Sequence, residues 1–199
     1  MPTTLARLGL AALLMLGAAL ASAADPTYTR RSDLVTGGGK PFTLFGHPIA
    51  VGEKAPPFTL PDAQSQPVSL SEYAGKVVIL TSFPSVDTSV CATQTRTFNQ
   101  RASAIPDVQI LTISADLPFA LKRFCAAEGI ANIRTLSDHR EMQYALGYGF
   151  LIEELRLLAR GTVIVDKQGV VRYVEIVPEL GKEPNYDKAI EVATGLSKS

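Results

Sequence analysis

The chain has 199 residues, 46% hydrophobic and 19% charged, with no Trp and two cysteines, which is enough chain for one domain with a full core. Nineteen basic and nineteen acidic residues give a formal net charge of zero, so nothing electrostatic favours a nucleic-acid or membrane partner. His47 and His139 stand far apart, and neither cysteine has a second ligand at C-x-x-C or C-x-x-H spacing; no metal or other cofactor is expected, and both histidines read as exposed polar residues.

The first two dozen residues differ from the rest. Arg7 is the only charge before Asp25, every residue from Leu8 to Leu20 is apolar or Gly, and Ala21-Ser22-Ala23 is a small-x-small site. These are the parts of a secretory signal peptide over residues 1–23, and the apolar run is too short to span a bilayer comfortably. Cleavage is expected after Ala23 or Ala24. The mature chain would then be exported, in a bacterium to the periplasm, with no membrane attachment and in a compartment where a disulfide persists. The alternative is a retained apolar N-terminal helix.

Residues 24–40 are polar, end in Gly37-Gly38-Gly39-Lys40 and read as a loose leader to a single domain over 41–199. Phe42–Phe45 and Ile49–Val51, separated by Gly46-His47-Pro48, suggest a small hairpin. Residues 55–60 are extended, and 68–73 read as a strand end followed by one helical turn. Val77–Ser82 (VVILTS) is a continuous apolar and β-branched run of the kind found in buried strands, and Val108–Ser114 (VQILTIS) reads as a second buried strand. A helix is expected over 91–104. Asp116-Leu117-Pro118 starts a second, with Asp116 as candidate N-cap and Gly129 as its end. A third is expected over 139–147. Gly161–Asp166 is a third buried strand, Lys167-Gln168-Gly169 a tight turn, and Val170–Val177 its hairpin partner. A final helix follows Pro184 and stops near Gly195. The order βαβα…ββα predicts a thioredoxin-like α/β fold, a central mixed sheet flanked by helices, with an N-terminal β-hairpin.

The informative stretch is Ser82-Phe-Pro-Ser-Val-Asp-Thr-Ser-Val-Cys91. Pro84 cannot continue a central strand, and a helix begins around residues 88–90. Cys91 therefore falls in the first turn of a helix, just beyond the C-terminal end of a buried strand, where open α/β sheets place ligands. Unpaired N–H groups and the helix dipole favour an anionic sulfur there, and the thiolate is the reactive form. The Thr88 hydroxyl, three residues earlier, is within reach of the sulfur. Taken singly, Thr88 is a helix cap, Pro84 a loop residue, and two cysteines in an exported protein a structural disulfide.

The combination Pro84-x-x-x-Thr88-x-x-Cys91 directly after a buried strand resembles the peroxiredoxin signature, most closely that of the thiol peroxidase subfamily. The resemblance runs from about residue 40 to 195 and is carried by FPSVDTSVCATQTRTFNQ, ISADLPFALKRFCAAEGI, TLSDHR, LLARGTVIVD and EPNYDKAI. It implies that Cys91 is the peroxidatic cysteine, oxidised to a sulfenic acid, and that Cys125 is the resolving cysteine, giving an intramolecular Cys91–Cys125 disulfide of the atypical 2-Cys type. It implies that Pro84 and Thr88 line the peroxide site and that Arg160 is the active-site arginine. It also implies hydrogen peroxide and organic hydroperoxides as substrates, a thioredoxin-like dithiol as reductant, and a homodimer. The chain departs from the family in its export signal, since most members use cytoplasmic thioredoxin, and in a minor way in Gly161, where the family tends to have Ala.

Cys91 and Cys125 are 34 positions apart on different expected helices, and a disulfide needs Cα atoms within about 7 Å. One arrangement can hardly both seat Cys91 and join it to Cys125, so local unwinding is expected. The residues alone leave open a non-catalytic exported thioredoxin-fold domain with a structural disulfide, or a peroxide sensor. The absence of C-x-x-C argues against a disulfide-exchange protein.

Overall fold

The computed structural model describes residues 27–198; the expected signal peptide and residues 24–26 lie outside them. Strands β1 (Thr29–Gly37) and β2 (Lys40–Gly46) form an antiparallel hairpin. Its turn is Gly38-Gly39, with φ of +58° and +78°, left-handed values that a two-residue hairpin turn requires and that Gly adopts without strain. The expected loose leader is thus corrected over residues 29–37, and the hairpin turns at Gly38-Gly39, not at Gly46-His47-Pro48. The ribbon β3 (Thr59–Pro61) and β4 (Pro67–Ser69) follows, then a 3-10 turn at Leu70–Tyr73.

The central sheet begins with β5 (Val77–Ser82), buried at every position. Helix α1 (Ser89–Ala102) leads to β6 (Val108–Ser114), and α2 (Pro118–Glu128) leads to β7 (Arg134–Ser137). Helix α3 is Gln143–Tyr148. The two-residue strands β8 (Leu151–Ile152) and β9 (Leu157–Leu158) join the N-terminal hairpin in a sheet of order β1-β2-β8-β9. Strands β10 (Gly161–Val165) and β11 (Val171–Ile176) complete the central sheet, and α4 (Tyr186–Lys198) ends the described chain. The central order is β11-β10-β5-β6-β7, with β5, β6 and β7 parallel and β10 antiparallel to both β5 and β11.

Alternation along β5 divides the core. Val78 and Leu80 face a cluster with Leu111, Ile113, Tyr144, Tyr148, Phe150 and Val163. Val77 and Ile79 face a second with Phe98 of α1 and Ala189 and Ala193 of α4, as the period of two in a strand requires. Buried on both faces, β5 reads in sequence as an unbroken apolar run.

Several local expectations are adjusted. Helix α3 covers only part of residues 139–147, because the buried Asp138 carboxylate accepts the Tyr144 and Ala145 N–H groups at 3.3 and 2.8 Å and so sets its start; burial pushes this carboxyl up to about 6. Leu117, not Asp116, is the N-cap of α2, with Pro118 in its first turn and Gly129 at φ +64° closing it. Helix α4 runs through Gly195. Both histidines are half-buried and partnered, His47 with Glu53 at 2.7 Å and His139 with Ser137 at 2.8 Å.

Gly161, opposite Ser82 in the β10–β5 pair, has no room for a side chain: a Cβ would lie 2.2 Å from the Glu175 carbonyl oxygen and 2.4 Å from the Phe150 ring. Gly161→Ala should therefore destabilise the fold by about 1–3 kcal/mol, seen as a lower midpoint in urea unfolding; an unchanged midpoint would show that the ring and strand yield freely.

Candidate active site

Strand β5 ends at Ser82, and the Phe83 N–H makes one more sheet-like bond, to the Ile113 carbonyl at 3.2 Å. Pro84 is buried and breaks the strand. The chain then turns on Ser85, whose carbonyl accepts both the Thr88 N–H at 3.2 Å and the Thr88 hydroxyl at 3.1 Å. Thr88 holds the N-cap position of α1 with extended backbone, but its side chain does not cap the helix. It is exposed, and its hydroxyl proton is engaged by Ser85, not by Cys91 as its spacing suggested; its oxygen lone pairs remain available as acceptors.

Cys91 lies in the first turn of α1 with its side chain wholly buried. Arg160, the residue before β10, donates from Nη2 to the Cys91 sulfur at 3.2 Å. The same guanidinium donates to the Leu180 carbonyl from Nε at 3.2 Å and from Nη2 at 2.9 Å, and from Nη1 to Gln94 Oε1. Arg160 is 1% exposed, and among the described residues none of these acceptors is a carboxylate. Removing a cation from water costs several kcal/mol unless it is paired. Of these four acceptor contacts among the described residues, only the sulfur can carry a negative charge.

Gln94 is a residue that the sequence reading missed. Its Nε2 donates to Thr81 Oγ1 at 2.6 Å and to the Ser82 carbonyl at 3.3 Å, while its oxygen accepts from Arg160. It thereby ties the guanidinium to the end of β5. The available signal was its place in the buried stripe of α1, Cys91, Gln94, Thr95, Phe98 and Ala102, where an amide among core positions needs hydrogen-bond partners.

Cys125, on α2, is half-buried, and its sulfur lies 3.3 Å from Thr135 Oγ1 on β7. Burial pushes this thiol up, and the Thr135 hydroxyl partly offsets it. Both cysteines are free thiols. Leu121 of α2 is buried in one cluster with Cys91, Phe83 and Val86, with Phe124 packed against it. The structure thus brings Cys91 and Arg160 together, leaves a buried Pro84 and an exposed Thr88 in the turn between β5 and α1, and holds Cys125 on a different partner.

Arg160→Gln should slow alkylation of Cys91 by iodoacetamide roughly a hundredfold, and Gln94→Leu about tenfold. Mass spectrometry of quenched time points measures both, with Cys125 as internal reference. Rates equal to the parent's would show that the guanidinium contact does not activate the sulfur.

A family profile described as Redoxin matches residues 50–190. A thiol peroxidase of Listeria innocua is 50% identical over 159 residues, covering 80% of this chain and 96% of the relative. A thiol peroxidase of Bacillus subtilis is 48% identical over 164 residues, covering 82% of this chain and 98% of the relative. Among solved structures, a peroxiredoxin-like protein from Aquifex aeolicus superposes with a TM-score of 0.78 at 37% identity, over 83% of this chain and 97% of that one. The chain therefore belongs to the Redoxin family and, within it, to the thiol peroxidase subfamily of the peroxiredoxins.

Proposed function

We propose that the chain reduces hydrogen peroxide and organic hydroperoxides at Cys91, with Cys125 as the resolving thiol and a thioredoxin-like dithiol as the source of electrons. The observation that carries this assignment is the buried Arg160 guanidinium on the Cys91 sulfur at 3.2 Å. The Cys91 thiolate attacks the distal oxygen of ROOH. The S–O bond forms as the O–O bond breaks, and the departing alkoxide takes a proton to leave as ROH. Arg160 favours the attacking anion and can donate to peroxide oxygen as charge moves onto it. Pro84 supports a dry wall without an N–H of its own, and Thr88, its proton already given to Ser85, offers an acceptor to the peroxide O–H.

The sulfenic acid on Cys91 then meets Cys125. An S–S bond forms, the S–O bond breaks, and the hydroxide leaves as water with the Cys125 proton. The external dithiol restores both thiols by exchange. Burial pushes the Cys125 thiol up, which disfavours its reactive thiolate while its sulfur lies against Thr135 on β7. A permanent structural Cys91–Cys125 staple fits less well, since each thiol has its own polar partner.

Residues 1–23 support export to the periplasm and release from the membrane, and likeness to the family supports a homodimer. An exported enzyme would draw on a dithiol carrier of its own compartment.

Cys91→Ser should abolish peroxide turnover with a chemical dithiol, while Cys125→Ser should permit one round and accumulate sulfenic acid, detected with dimedone; undiminished turnover without Cys91 would overturn the assignment. Terminal sequencing of protein from its native host should find the mature chain starting at Ala24 or Asp25, whereas an intact Met1 or Pro2 would refute cleavage.

A further inference from the structure

Asp116 lies between β6 and α2, and all its polar atoms are used. Oδ1 accepts the Ser85 hydroxyl at 2.7 Å, and Oδ2 accepts the Val86 N–H at 2.8 Å and the Ser114 hydroxyl at 2.7 Å. Its N–H donates to Ser114 Oγ at 3.3 Å, and its carbonyl accepts the Ser137 hydroxyl on β7. The carboxylate therefore crosses 30 residues of sequence to hold the turn that precedes Cys91. Val86 is 4% exposed and packs in the Cys91 cluster, while Ser85 in turn fixes Thr88. On its other side, Asp116 leads directly into α2, which contributes Leu121 to the same cluster and carries Cys125.

We propose that Asp116 is a positioning residue for both steps of the reaction: its carboxylate latches Ser85 and Val86 over Cys91 for attack on the peroxide, and the disulfide closes only after that latch opens. The inference rests on the roles assigned above to Cys91 and Cys125. Hydrogen bonds to an ionised acceptor are among the stronger ones, so three of them on one carboxylate keep the turn in place. Asp116 is only half-buried, so water can replace its partners when the turn lifts. Freeing Val86 uncovers Cys91, and the same event loosens the start of the helix that must bring Cys125 across.

The test separates the two steps in rapid-mixing single turnovers with hydrogen peroxide, following Cys91 oxidation and then disulfide closure in the parent, in Asp116→Asn and in Ser85→Ala. Asn offers one acceptor oxygen and an NH2 group where three donors converge, so the latch is weakened while the volume is kept. Cys91 oxidation should slow about tenfold in Asp116→Asn, and disulfide closure should become several-fold faster. Ser85→Ala should move both rates in the same directions by less, and it carries the test alone if Asp116→Asn does not fold. Loss of folded, active protein alone would lower both signals together and would not move the two rates in opposite senses. Unchanged rates, or both rates falling together, would overturn the latch. A parent chain that does not oxidise Cys91 would instead overturn the site assignment and the latch with it.

Discussion

The site depends on one buried cation. Arg160 sits in the protein interior with neutral oxygens as its acceptors and the Cys91 sulfur as the remaining contact. A guanidinium so placed is costly beside a neutral thiol and well matched beside a thiolate. The rest of the architecture delivers that meeting. Because β5 and β10 run antiparallel with Ser82 opposite Gly161, the exit of one strand and the entrance of the other share one end of the sheet. Arg160 precedes β10 there, α1 follows β5 there, and Gln94 closes the gap between them. Gly161 allows the strands and the Phe150 ring to come this close.

Activation and resolution make opposite demands on Cys91. Packing against Val86 and Leu121 excludes water and strengthens the Arg160 contact, yet a disulfide needs the sulfur to reach Cys125. The elements differ in how firmly they are held. Helix α1 buries five residues, whereas α2 buries only Pro118 and Leu121. Little apolar burial is the mark of segments that open at low free energy, so α2 and the turn before α1 are where the fold can give way while the sheet stays intact. Burial of the Cys125 thiol acts in the same direction, pushing it up and disfavouring its thiolate.

Much of the fold was legible because its signals are local. The runs VVILTS and VQILTIS name their strands to the residue, and Gly129 ends α2 where a left-handed residue was expected. The hairpin strand β1 was not legible: only Val35 along it is fully buried, so it carries no apolar alternation. Asp116 shows the same limit from another side. Its position before Leu117-Pro118 suits an N-cap, but three donors from Ser85, Val86 and Ser114 claim its carboxylate, a competition invisible from the adjacent sequence.

The sequence by itself determined that Cys91 would stand in the first turn of a helix at the end of a buried strand. Proline stops the strand, the helix begins a few residues later, and both effects act within a span of about ten residues. Only the tertiary structure decided what the sulfur would face. Arg160 reaches Cys91 across 69 positions and Gln94 across 66. Contacts at that distance are set by the register of β10 on β5 and by the packing of α1. Strand register follows from burying whole apolar faces, and the polar groups are carried along with it; no residue near Cys91 records which of them will arrive.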